Sequence, residues 1–520
     1  MAELARRVPG GTPTDQEVHR FHMLWDAAAE SITSPHTFDA RHEAARQQGE
    51  AGNPSAAAAA FAELVKDQTR ALGADHPDTL DARHEAAYWQ GEAGNPNAAA
   101  AAFAELVKDR TRVQGADHPE TFDARHEAAR QQGEAGNPNT AAAAFAELAK
   151  DQTRALGADH PDTLTSRFEV AYWQGEAGNP SAAAAALTEL AKDQTRVQGA
   201  DHPDTLTSRH EAARQQGEAG NPNTAAAALT ELVKDRTRAL GADHPGTLTS
   251  RFEVAYWQGE AGNPSAAAAA LTELAKDRTR ALGADHPDTL TSRHEAAHWQ
   301  GEAGNPSAAA AALTELVKDR TRVQGADHPD TLASRHMAAY WQGEAGDPTA
   351  ASAAFAELAK DQTRALGADH PDTLTSRHMA AYWQGEAGGP NAAAAALTEL
   401  VKDRTRVQGA DHPETFDARH EAARQQGEAG NPSAAAAAFA ELVKDRTRVQ
   451  GADHPGTLAS RHEAAHWQGE AGDPDAAAAA LTELVKDRTR ALGADHPDTL
   501  ASRHMAAYWQ GETGNPNATV

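Results

Sequence analysis

Apolar and polar positions along this 520-residue chain recur every 42 residues, from about Ser34 to the end. Within one period, Asp75 to Ala116, two stretches carry apolar residues at helical spacing. The pattern predicts a first helix over Thr79 to Gly94, with Leu80, Ala86, Ala87, Trp89 and Ala93 facing inward. It predicts a second over Asn97 to about Val113, burying Ala99, Phe103, Leu106 and Val107. Position 103 is Phe or Leu in every copy, as a buried contact requires. Glu105, Lys108, Asp109 and Arg112 recur at spacings of three and four and solvate the outer face.

The punctuation between these stretches is equally regular. Asp-His-Pro occurs eleven times, with histidines from His76 to His496, and Ser34-Pro35 is a degenerate first copy. Proline suits the first turn of a helix, so Asp75 or His76 is expected to cap the first helix, and Gly94 to end it. Asn95-Pro96 opens the second, which stops at Gly115. The equivalents of Asn95 are Asn in nine copies, Asp347, Asp473 and Gly389, the residue set an N-cap prefers.

Repetition of this kind predicts a solenoid, in which each copy buries its apolar face only against its neighbours. The expected fold is all-α: a right-handed superhelical solenoid of antiparallel helix pairs, about eleven and a half 42-residue repeats long. Residues 1–33 form an N-terminal segment whose amphipathic stretch 14–31, with Val18, Phe21, Leu24, Trp25 and Ala28 on one side, is expected to cap the array. The array itself runs over 34–520 and ends in an incomplete repeat, whose uncapped Tyr508 and Trp509 leave room for self-association there or for truncation of a longer chain.

The copies differ in one respect that bears on packing. Four carry Arg-Gln-Gln, beginning at Arg46, Arg130, Arg214 and Arg424, where eight carry Tyr-Trp-Gln or His-Trp-Gln. Loss of the indole at Gln47, Gln131, Gln215 and Gln425 is expected to weaken packing locally.

The segments LGADHPDTL, AYWQGEAG and the alanine-rich second helix ending in KDRTR resemble the tetratricopeptide repeat, in its 42-residue kinesin-light-chain-like variant of bacterial type. The resemblance covers Ser34 to Val520. It departs from the family pattern where a Leu-Gly pair falls on Ala86-Ala87 and a tyrosine on Gln90, changes that shrink the core. It implies that one face of the first helices lines a concave groove where partner segments bind.

Composition narrows the function classes. The net charge of -27 comes from 75 acids against 48 bases, and the long negative surface should repel nucleic acid and anionic membranes. Cysteine is absent, which removes disulfides and thiolate chemistry. The start, MAELARRVPGGTP, has no apolar stretch behind its arginines, and the alanine runs are too short to span a bilayer, so a cytoplasmic location is expected. All eleven lysines sit in Val-Lys-Asp or Ala-Lys-Asp, so no phosphate loop exists. His294-Glu295-Ala296-Ala297-His298 and His462 to His466 match the HExxH pattern of zinc peptidases. The same column reads HEAAY, HEAAR, HMAAY or FEVAY in sister copies, which favours chance over a metal site. No cofactor and no reaction are expected.

The remaining stripe of the first helix is the candidate site. His84, Tyr88 and Glu92 are spaced by four, on one face away from the apolar stripes. Repetition extends it through His126, Arg130, Glu134, Tyr172, Glu176, His210, Arg214, Glu218, Tyr256, Glu260, His294, His298, Glu302, His336, Tyr340, Glu344, His378, Tyr382 and Glu386. An acidic, His/Tyr-lined groove of this kind suits a scaffold for a basic or polar-aromatic protein segment. A sensor arm of a larger bacterial signalling assembly, its switch ATPase or protease domain on another chain or lost, is the alternative. Protonation of all 26 histidines near pH 6.5 would take the charge from -27 to about -1, so binding or solubility is expected to change between pH 7 and 5.5.

Overall fold

Proline opens every described helix, and its fixed backbone angle and missing N–H suit the first turn. The computed structural model describes residues 35–512, which form twenty-three α-helices, α1 (Pro35–Glu50) to α23 (Pro497–Glu512), and no strand. The proposed cap at 14–31 and the last residues, 513–520, lie outside the described residues. First helices such as Pro77–Glu92 have 16 residues; second helices such as Pro96–Val113 have 18 or 19. Consecutive helices pack together from Pro35–Glu50 through Pro222–Leu240 and from Pro264–Leu282 through Pro497–Glu512, giving an all-α repeat solenoid. Glycines at φ near +82° (Gly94) and +103° (Gly115) make the two turns of each repeat, a backbone conformation that a Cβ would strain.

The caps refine the expectation. His76, not Asp75, caps the first helix: its Nδ1 accepts the Asp78 N–H at 3.3 Å, and the same bond recurs from His118 to His496. Asn95 occupies the cap position of the second helix, but its side chain accepts no cap hydrogen bond; its amide instead donates to the Ala93 carbonyl at 3.3 Å. The two aspartates at this position do cap, accepting from Ala350 N at 3.0 Å and Ala476 N at 3.2 Å.

Core clusters follow the stacking. Phe38, Ala45, Phe61, Leu64, Ala82 and Trp89 form one cluster, drawn from the two helices of one repeat and the first helix of the next. Leu80, Ala87, Ala99, Phe103 and Leu106 are buried as the pattern predicts, whereas Ala86, Ala93 and Val107 are half-buried. The indole packs across the repeat boundary, onto a glycine of the preceding first helix. A Cβ on Gly49 would lie 2.4 Å from the Trp89 ring, and one on Gly133 2.4 Å from Trp173. In the last described helix Leu500 is 46 % exposed, where its equivalent Leu80 is 0 % exposed, because no further described helix covers it.

The chain divides into two compact bodies, residues 1–257 and 258–520. No described helix is long and apolar enough to cross a membrane.

Candidate functional site

The 84/88/92 stripe of each first helix places one side chain per turn on a single face, and the histidine turn sits deepest. The His84, His126 and His336 rings meet Phe103, Phe145 and Phe355 edge-on, at centroid distances of 5.1, 5.0 and 4.9 Å. These histidines form the floor of the face instead of standing clear of the apolar stripe, since each ring covers the second-helix phenylalanine below it. Other rings of the column reach a serine of the next repeat: Nδ1 of His210 lies 3.3 Å from Ser250 Oγ, that of His294 3.0 Å from Ser334 Oγ, and that of His420 3.4 Å from Ser460 Oγ.

Burial, which disfavours the charged imidazole, pushes His84, His126, His336 and His378 down from their ordinary value. Burial and then the nearby Arg236 or Arg320 take His210 and His294 to about 4. This corrects the expected titration between pH 7 and 5.5 for His210 and His294, which stay neutral across that window.

The middle turn is aromatic or cationic. Tyr88, Tyr172, Tyr256, Tyr340 and Tyr382 are half-buried and meet the indole of the following residue edge-on at 5.0 to 5.2 Å. His298 takes this place between Trp299 (5.0 Å) and Trp341 (6.2 Å). The Arg130 guanidinium lies 5.8 Å from the Tyr88 ring, and that of Arg424 5.6 Å from Tyr382.

The same arginines neutralise the glutamate column. Arg130 pairs with Glu134 at 2.6 Å and reaches back to Glu92 at 3.6 Å. Arg214 likewise holds Glu218 (2.9 Å) and Glu176 (3.8 Å), and Arg424 holds Glu428 (2.7 Å) and Glu386 (2.9 Å). The ladder is therefore not uniformly acidic. Repeats whose middle position and next neighbour both lack arginine leave their carboxylates without a cation, and among the described residues Glu260, Glu302 and Glu344 form such a run in the C-terminal body.

Two clefts open beside the histidine floor, one in each body, and they involve residues that the four-residue spacing did not single out. In the N-terminal body a cleft of about 500 Å³ is lined by His42, His84 and His126 with Asp81, Glu85, Arg110, Glu120, Asp123 and Glu127. Arg110, 1 % exposed, donates to the Asp81 carboxylate and the Glu120 carbonyl, both at 2.8 Å, and pairs with the Glu120 carboxylate. Burial holds the Asp81 and Asp123 carboxyls above the usual range.

The cleft of about 510 Å³ in the C-terminal body occupies the equivalent place, around His294, Leu332, Ala333, His336, Met337, Gln362 and Leu366. Ala333 replaces Asp81, Met337 replaces Glu85 and Gln362 replaces Arg110. The signal for these positions was in the sequence, as an Arg/Gln exchange in KDRTR against KDQTR, but nothing there showed that the residue is buried.

The HEAAH segments do not converge on a metal. His294 Nδ1 is turned to Ser334 and His298 lies between indoles, and no cluster of three or more candidate ligands occurs among the described residues.

The comparison with curated proteins returned no match. Among solved structures, the chain is similar to a putative kinesin light chain of Podosopora anserina with nearly identical TPR-like repeats, at 25% identity over 40% of this chain and 98% of that one, with a TM-score of 0.37. It is also similar to BtubC (BKLC) from P. vanneervenii, at 14% identity over 44% of this chain and 92% of that one, with a TM-score of 0.38. A Rap protein complexed with competence and sporulation factor aligns at 11% identity over 71% of this chain and 98% of that one, with a TM-score of 0.38. Residues 457–498 match the tetratricopeptide repeat model. That stretch is one 42-residue period, and the same sequence recurs before it with few changes: residues 457–498 are a tetratricopeptide repeat, and the sister copies share its sequence.

Proposed function

We propose that the chain is a non-enzymatic, cytoplasmic scaffold that holds a protein or peptide segment along the stripe of its first helices. The observation that carries this reading is the pair of clefts beside the histidine floor, each lined by histidines of the stripe. Half-buried tyrosines ordered by their indole neighbours offer rigid, amphipathic contact area at low entropic cost.

The partner's chemistry follows the charge pattern. Where Arg130, Arg214 and Arg424 already hold the carboxylates, a polar-aromatic segment fits; where Glu260, Glu302 and Glu344 have no cation, a basic one does. Affinity for the basic part should fall about tenfold as salt rises from about 50 to 300 mM. The test is a pull-down with the wild-type chain against a variant carrying alanine at Tyr88, Tyr172, Tyr256, Tyr340 and Tyr382. A partner retained by both proteins alike, or a salt-insensitive affinity, would refute the stripe as the contact.

A further inference from the structure

Arginine fills the crevice beside the histidine column in seven of the eleven repeats, and glutamine stands there at Gln68, Gln152, Gln194 and Gln362, each with an unpartnered Oε1; what sets residues 329–375 apart is the lining around it. In the preceding repeat Arg320 donates to the Asp330 carbonyl at 2.6 Å and to Ser334 Oγ at 2.9 Å. One repeat later Gln362 stands in its place, is 4 % exposed, lines the cleft, and leaves its Oε1 without a hydrogen-bond partner. A buried acceptor in that state costs about 1–3 kcal/mol until something donates to it.

Two other changes fall at the same crevice. Met337 replaces the glutamate found at Glu295, and Ala333 replaces the threonine at Thr291, so Leu332, Ala333, Met337 and Leu366 give the cleft an apolar part, while His294, His336, His370, Asp372 and Thr375 make up its polar part. Methionine adapts its shape to an incoming side chain. On the same helix, Pro329–Glu344, no ion pair holds the Glu344 carboxylate among the described residues, and Tyr340 lies one turn before it.

We propose that this cleft is an anchor pocket for one apolar side chain of an extended peptide from another protein, whose backbone N–H satisfies Gln362 and whose basic residue pairs with Glu344. The spacing is set by the helix. Met337 and Glu344 are seven residues apart, or about 10 Å along the axis, which an extended chain at about 3.3 Å per residue covers in about three residues. The ligand is therefore an apolar residue and a Lys or Arg about three positions apart. This deepens the scaffold reading and rests on it, since it assigns one anchor point within the proposed stripe.

The test is selection of a random dodecapeptide phage library on the full-length chain, with each enriched peptide then measured by fluorescence anisotropy on wild type and on M337E/Q362R. That variant carries the residues of the preceding repeat at both positions, Glu295 and Arg320, and so keeps a side-chain set the fold already accommodates; circular dichroism checks it. The expected result is enrichment of apolar residues three positions from Lys or Arg, with at least tenfold weaker binding to the variant. Enriched peptides that bind both proteins within twofold but lose affinity on Tyr340→Ala overturn the anchor pocket and leave the stripe standing. Peptides without the apolar-basic pattern overturn the pocket as well. No enrichment over an empty surface overturns both readings.

Discussion

The residue that decides the fit between repeats is the one after the tyrosine column. Trp89 lies against Gly49 so closely that a methyl group there would collide, and its Nε1 donates to Glu85 at 3.1 Å, so the indole is both packed and satisfied. Gln131 takes the same berth over Gly91, is 0 % exposed, and finds a partner for neither amide atom. The substitution carries a polar penalty that the sequence did not suggest. Gln131→Trp should therefore raise the urea unfolding free energy by about 1–3 kcal/mol, since it adds apolar burial and removes an unsatisfied amide. Glu127, four residues earlier, can accept from the introduced indole as Glu85 does from Trp89. An unchanged or lower midpoint would show that the berth cannot widen there. The receiving glycine was not legible: in the sequence it reads as a flaw within a helix, and the ring that requires it is forty residues away.

At the scale of the helix, proline and glycine made the boundaries readable to within two or three residues, because both act through the backbone alone. Capping was less legible, since it depends on side-chain geometry. Asn95 and its asparagine sisters hold the position of a cap without its hydrogen bond, while Asp347 and Asp473 accept from Ala350 and Ala476. Aspartate also places negative charge at the positive end of the helix dipole. Asn95→Asp should stabilise its helix by about 0.5–1 kcal/mol, read as slower amide exchange in the first turn of Pro96–Val113. Exchange that is equal or faster would mean the asparagine bond to Ala93 is worth as much as the cap.

For the molecule as a whole, the repeat fixed the fold class before any coordinates, because a 42-residue period leaves few alternatives to stacked hairpins. The stripe at 84/88/92 was legible as a face but not as a surface. Periodicity shows which residues share a direction and not how deep each one sits, so the histidines were expected to titrate and instead form a floor. The consequence is a pH dependence of stability. His210, His294, His420 and His462 are held at about 4, by burial first and then by a neighbouring arginine, against 6.5 when unfolded. Between those values the unfolded chain binds more protons, so the stability present above pH 6.5 is lost as pH falls towards 4, by about 3 kcal/mol for each fully uncoupled histidine. Urea midpoints at pH 7, 5.5 and 4.5 check this, and a flat series would contradict it. The glycine berth has one more implication. Every joint within a body uses the same glycine receptor, with Trp or Gln as the insert, so excising Pro119 to His160 would leave a seam reading His118-Pro161, with Trp173 arriving at Gly91 in place of Gln131. Copy number is then free to change by whole modules without altering the chemistry of a joint.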